Sequence, residues 1–98
     1  MANADHEDEV DEEALVMELA DLLSQRGFHA EAWQSGGDTY VVAIKRSSGN
    51  VQYWGLAAGT WGGYEADKDE EELPGSSVVT EIEPANTKSA AEFIASRL

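Results

Sequence analysis

Three stretches decide the fold: Phe28-His-Ala-Glu-Ala-Trp-Gln34, Thr39-Tyr-Val-Val-Ala-Ile-Lys-Arg46 and Val51-Gln-Tyr-Trp-Gly-Leu-Ala-Ala58. Each has the length of an ordinary strand and mixes apolar with polar side chains in near alternation, the pattern of a sheet with unlike faces. Ser35-Gly36-Gly37-Asp38 separates the first two and Ser47-Ser48-Gly49-Asn50 the next two. These residue types accept turn dihedrals, and four-residue connections favour hairpins, so the stretch predicts an antiparallel meander.

Upstream, Leu15, Leu19, Leu22 and Leu23, with Val16 and Ala20 beside them, recur at helical spacing from Asp11 to Arg26. Acids at Asp11, Glu12 and Glu13 suit the positive end of the helix dipole, and Arg26 suits the negative end. Gly27 supplies the left-handed residue that stops the helix, with Phe28 folding back on Leu23. Downstream, Gly59, Gly62, Gly63, Pro74 and Gly75 read as breakers in a long acidic loop at about 59–77. A fourth strand is predicted over Val78 to Glu83. After Pro84, a cap at Asn86 or Thr87 opens a closing helix whose apolar face is Ala90, Ala91, Phe93, Ile94 and Leu98. The expected fold class is therefore α+β: one small domain over 11–98, in the order α-β-β-β(-β)-α. Its antiparallel sheet carries two helices packed on one face. Residues 1–10 are too acidic and too poor in apolar side chains to offset the entropy of ordering, and are expected to form a disordered acidic tail.

With the connections counted at four residues, Trp33 lies opposite Tyr40 and Ile44 opposite Tyr53. Phe28, Ala30, Ala32, Val41, Ala43, Trp54 and Leu56 then form the core face. His29, Glu31, Trp33, Tyr40, Val42, Ile44 and Tyr53 form the other. Two arrangements satisfy that second face. In one, the 59–77 loop folds back with Trp61 and Tyr64 as a lid and makes a second core. In the other, the face stays open and binds, since Trp and Tyr are enriched at binding hot spots.

The 98 residues carry 20 acids against six Lys and Arg, a formal net charge of -14. Residues 1–13 hold -7 of it and residues 65–72 hold -5, so the rest of the chain is nearly neutral. Such a charge opposes nucleic-acid phosphate and anionic lipid, both of which are held by Lys and Arg, so neither direct nucleic-acid binding nor membrane binding is expected. No apolar run approaches the ~20 residues of a membrane helix, and the N-terminus is acidic where a targeting peptide is basic, which leads to an expected cytoplasmic location. The element order resembles that of the double-stranded RNA-binding domain, with Thr87-Lys88-Ser89-Ala90-Ala91 where that family opens a basic helix. Lys88 stands alone there, so the likeness extends to element order and carries no function.

Catalytic and cofactor chemistry find little support. There is no cysteine, hence no thiol nucleophile, disulfide or Cys-based zinc site. Asp67, Asp69 and Glu71 alternate like a calcium loop, but Glu72 stands where that loop needs Gly and Val78 where it needs Glu. None of the serines lies in a Gly-x-Ser-x-Gly elbow, and His29 beside Glu31 is thin material for a triad. Gly59-Thr60-Trp61-Gly62-Gly63 lacks the Lys-Ser or Lys-Thr of a phosphate loop. No catalytic residue, metal site or cofactor is assigned.

The expected function is a non-enzymatic, acidic protein-protein interaction module. Trp33, Tyr40, Tyr53, Trp61 and Tyr64 supply anchors, while Asp69, Glu70, Glu71 and Glu72 steer a basic protein partner. A nucleic-acid mimic or inhibitor is one form of it, and self-association through the aromatic face is another. The alternative is salt adaptation in a halophilic organism, where molar salt screens such a charge over ~3 Å and the acidity serves solubility. A small enzyme using paired carboxylates and His29 is the least supported reading.

Overall fold

The computed structural model describes residues 11–36, 39–57 and 59–98. The acidic tail expected over 1–10 lies outside them. Helix α1 (Glu12–Gln25) begins where its cap predicts: the Asp11 carboxylate accepts from the Ala14 N–H at 3.2 Å, and the Asp11 carbonyl from Leu15. It ends in a Schellman closure. The Phe28 N–H donates to the Leu23 carbonyl and the Gly27 N–H to Ser24, with Gly27 at φ +95°. Five strands follow: β1 (His29–Gly36), β2 (Thr39–Lys45), β3 (Val51–Ala57), β4 (Thr60–Ala66) and β5 (Val78–Val79). Helix α2 (Thr87–Ala95) closes the chain, capped by the Asn86 side chain, which accepts from the Ser89 N–H.

The sheet is antiparallel throughout, with strands in sequence order, and the helices pack against it. The expected α+β fold is therefore the observed one. Val16, Leu19, Ala20 and Leu23 of α1 meet Val42, Ile44, Trp54 and Trp61 of the sheet and Ala90, Ala91 and Ile94 of α2 in one core. A buried Thr87 hydroxyl donates to Glu18 at 2.7 Å and ties the two helices together. No described helix is long and apolar enough to cross a membrane.

Three local expectations are corrected. Strand β2 presents the opposite faces: Val42 and Ile44 are buried under the helices, while Val41 and Ala43 lie on the far side with Trp33 and Tyr53. Both hairpin connections cause this. An irregularity between Gln34 and Gly36 shifts the first register, so that Trp33 faces Val41 and not Tyr40. The second turn takes in Arg46, whose N–H donates to the Asn50 carbonyl, so that Lys45 faces Val51. One residue of slip reverses a strand, and because both slips act on β2, β1 and β3 keep their predicted faces.

The loop expected at 59–77 is also not a loop from its start. Thr60–Ala66 forms β4, paired with β3 from Ala57↔Thr60 to Val51↔Ala66. The glycines read as breakers sit inside this strand: Trp54 faces Gly63, and Gly55 faces Gly62. Finally, the strand predicted over Val78 to Glu83 pairs as strand only at Val78 and Val79. Beyond it the Thr80 N–H donates to the Trp61 carbonyl, and the Trp61 N–H to Ile82.

The candidate site on the open face of the sheet

Both helices lie on one side of the sheet, so no described helix covers the other side. Alternation along β1, β3 and β4 puts Trp33, Tyr53 and Tyr64 there, and cross-strand neighbours on one face touch. The rings form a ladder. Trp33 meets Tyr53 edge-on at 6.1 Å between centroids, and Tyr53 meets Tyr64 at 5.4 Å with 35° between planes. Trp33 is 47% exposed and Tyr64 38% exposed, values well outside those of core aromatics.

Ala43 and Gly55 share this face, and a Cβ at Gly55 would stand 3.1 Å from the Tyr40 carbonyl and 3.2 Å from Val41 Cγ1. Beside the rings is a depression of about 290 Å³ walled by Trp33, Ser35, Val41, Tyr53, Tyr64 and Glu70. Glu70 reaches it from a tight turn. The Asp67 carboxylate accepts from the Asp69 and Glu71 N–H groups at 2.9 and 3.0 Å, and Glu70 takes φ +66°. Burial, then the Glu70 charge, then Tyr64 push the Tyr53 hydroxyl above its ordinary pKa of 10.0.

The predicted anchors therefore separate. Trp33, Tyr53, Tyr64 and Glu70 come together, whereas Asp69 and Glu71 on the same turn, and Glu72, bridged to Ala66 just after it, are exposed but do not wall the depression. Tyr40 lies on the helix side, packed against the core, and its N–H donates to Glu12 at 3.1 Å. Trp61 is fully buried in the core, with its indole N–H donating to the Pro84 carbonyl at 3.2 Å. It is no lid, and neither Tyr40 nor Trp61 joins the rings on the open face. Val41 and Ser35 were missed. The bulge beside Ser35 decides both positions, and nothing in Ser35-Gly36-Gly37-Asp38 announces which of its residues is the extra one.

The helix side carries a second concavity, of about 430 Å³, at the end of β3 and β4 that the helices leave uncovered; Arg46, Gln52, Glu65, Ser76 and Arg97 are among its walls. Its polar groups satisfy one another. Glu65 accepts from Arg46 at 2.8 Å, Asn50 at 2.8 Å and Gln52 at 3.2 Å, and Gln52 in turn accepts from the Trp54 indole at 2.8 Å. Among the described residues no buried side-chain polar atom lacks a partner, and no three His, Asp or Glu side chains converge as metal ligands. This network ties β4 to β3 and to the turn that precedes β3.

Desolvation raises the Glu65 pKa, but the bonds from Asn50, Gln52 and Arg46 and the Arg46 charge together outweigh it and leave the carboxyl below its ordinary 4.5. A depressed carboxylate stabilises the fold above its unfolded-state pKa and ceases to do so as pH falls through the folded value. Glu65→Gln is thus expected to melt below the parent at pH 7, with the gap closing below about pH 4.5. Thermal melts of both proteins from pH 7 to pH 3 measure it, and a gap of constant size would refute the role given to this carboxylate. No family model matches the chain, and neither the curated proteins nor the solved structures yield a significant match, so the reading of the open face rests on its own geometry.

Proposed function

We propose that this protein is a non-enzymatic interaction module that captures a basic segment of a partner protein on the open aromatic face. The observation that carries the reading is the convergence of Trp33, Tyr53, Tyr64 and the Glu70 carboxylate on one depression. Aromatic faces are negative, and a Lys or Arg side chain set against them gains about 0.5–2 kcal/mol, more when a carboxylate shares the site. The net charge of -14 steers such a segment inward. The same charge opposes a second copy of the chain as occupant. A nucleic-acid-binding protein is one source of a suitable basic segment, which would make the domain an inhibitor of it by competition.

The test uses a capped six-residue peptide alternating Lys and Val, titrated calorimetrically, with association and dissociation followed by stopped flow. Glu70→Lys is expected to slow association and flatten its dependence on salt, whereas Trp33→Ala is expected to speed dissociation by about thirtyfold, a hot-spot loss of about 2 kcal/mol. Equal binding by the parent and both variants would dismiss this face as the site.

A further inference from the structure

Strand β1 lies at one edge of the sheet, and the opposite edge is the two-residue β5. Every residue from Glu31 to Ser35 is exposed, residues 30–34 contain neither Pro nor Lys, and their one charge, Glu31, repels an acidic strand and attracts a basic one. The direction of its backbone groups follows from the next turn. The Arg46 N–H donates to the Asn50 carbonyl at 2.9 Å, so the even-numbered residues of β2 point their backbone groups toward β3 and the odd-numbered ones toward β1. In β1, then, His29, Glu31 and Trp33 bond to Lys45, Ala43 and Val41, while Ala30 and Ala32 point outward. The Ala30 carbonyl accepts from the Ser24 hydroxyl at 3.2 Å. Ala32 turns both its N–H and its C=O to the edge, where no described strand pairs with it.

We infer that the basic segment docks as a sixth, antiparallel strand on this edge, exchanging two backbone hydrogen bonds with Ala32. This rests on the function proposed above and states how the partner is held. Charge and register choose the occupant. The partner residue opposite Ala32 shares its face and points to the helix side, so its two neighbours project onto the aromatic side, opposite Glu31 and Trp33. A Lys or Arg at each of those positions meets a carboxylate and an indole. Main-chain bonds then supply affinity irrespective of sequence, and alternate cations supply selectivity, the division of labour usual in strand addition.

Three peptides separate this from docking on the face alone: the Lys-Val hexamer, the same peptide N-methylated at its valines, and the same peptide N-methylated at its lysines. With lysines on the aromatic side, the valine N–H groups point at β1 and the lysine N–H groups away from it. Valine methylation is expected to weaken binding at least about tenfold, the loss expected when hydrogen bonds are removed, and lysine methylation to leave it unchanged. Ala32→Pro, checked for an intact fold by circular dichroism, is expected to match the valine-methylated loss. Parent-like binding by both methylated peptides, with Trp33→Ala still defective, overturns edge docking and leaves the aromatic face as the site. No binding of the parent peptide removes both readings. A dimer in sedimentation that Ala32→Pro dissolves assigns the edge to a second copy and also overturns the inference.

Discussion

Trp61→Ala is expected to destabilise the domain by about 3–5 kcal/mol, the range for deleting a fully buried Trp, whereas Trp33→Ala is expected to cost about 1 kcal/mol. The two residues are alike in sequence, each in an alternating stretch near glycines. Their surroundings differ completely. Trp61 has no exposed surface, its indole N–H is bonded to the Pro84 carbonyl, and both its backbone groups are taken by the segment at Thr80–Ile82. Removing it opens a cavity that strand β4 and that segment cannot collapse without breaking those bonds. Trp33 has solvent over nearly half its surface and contributes to the folded state chiefly through Tyr53. Denaturant melts of both variants decide the matter, and the loss of acrylamide-quenchable fluorescence from the parent to Trp33→Phe, which leaves Trp54 and Trp61 in place, provides a second reading. A Trp33→Ala loss comparable to that of Trp61→Ala would mean that the open face is in fact a second core, and the proposed site would disappear with it.

The legibility of the fold follows from how far each signal reaches. Helix α1 was readable to within a residue because its cap, its apolar stripe and its Gly27 stop are all local chemistry. The antiparallel hairpins were readable from turn composition. Which face of β2 is buried was not, because that depends on counting each connection to a single residue, and the bulge beside Ser35 and the inclusion of Arg46 in the next turn leave no mark in composition. The aromatic ladder survived the error because Trp33 and Tyr53 belong to β1 and β3, whose relative phase the two slips preserve. Tyr40 did not survive it, being on β2. Strand β4 was hidden for another reason: glycine propensity argues for a loop wherever nothing else is known, and the reason for Gly62 and Gly63 lies on neighbouring strands.

That reason makes Gly63→Ala the other large loss expected, about 3 kcal/mol, at the upper end of what overpacking costs. A Cβ at Gly63 would lie 2.5 Å from Trp54 Cδ2, 2.5 Å from the Tyr53 carbonyl oxygen and 2.8 Å from Trp54 Cε3. None of these atoms can withdraw cheaply. The Trp54 indole is held by its bond to Gln52 at one end and by Phe93, edge-on at 6.0 Å, on another side, and the carbonyl belongs to the backbone of β3. Gly27→Ala makes the control: nothing lies within 4 Å of its Cβ, so only the left-handed φ of +95° is strained, at about 1–2 kcal/mol. Gly63→Ala should also act at a distance on function. Relief of the clash pushes β3 at Tyr53, and the Tyr53 ring is the middle rung between Trp33 and Tyr64, so the variant that remains folded should bind the Lys-Val peptide more weakly than Gly27→Ala does. Chemical denaturation ranks the two stabilities and calorimetry the two affinities. A Gly63→Ala protein as stable as the Gly27→Ala control would show that β4 does not lie against Trp54 as described, and the placement of Tyr64 on the open face, which depends on the register of that strand, would have to be withdrawn.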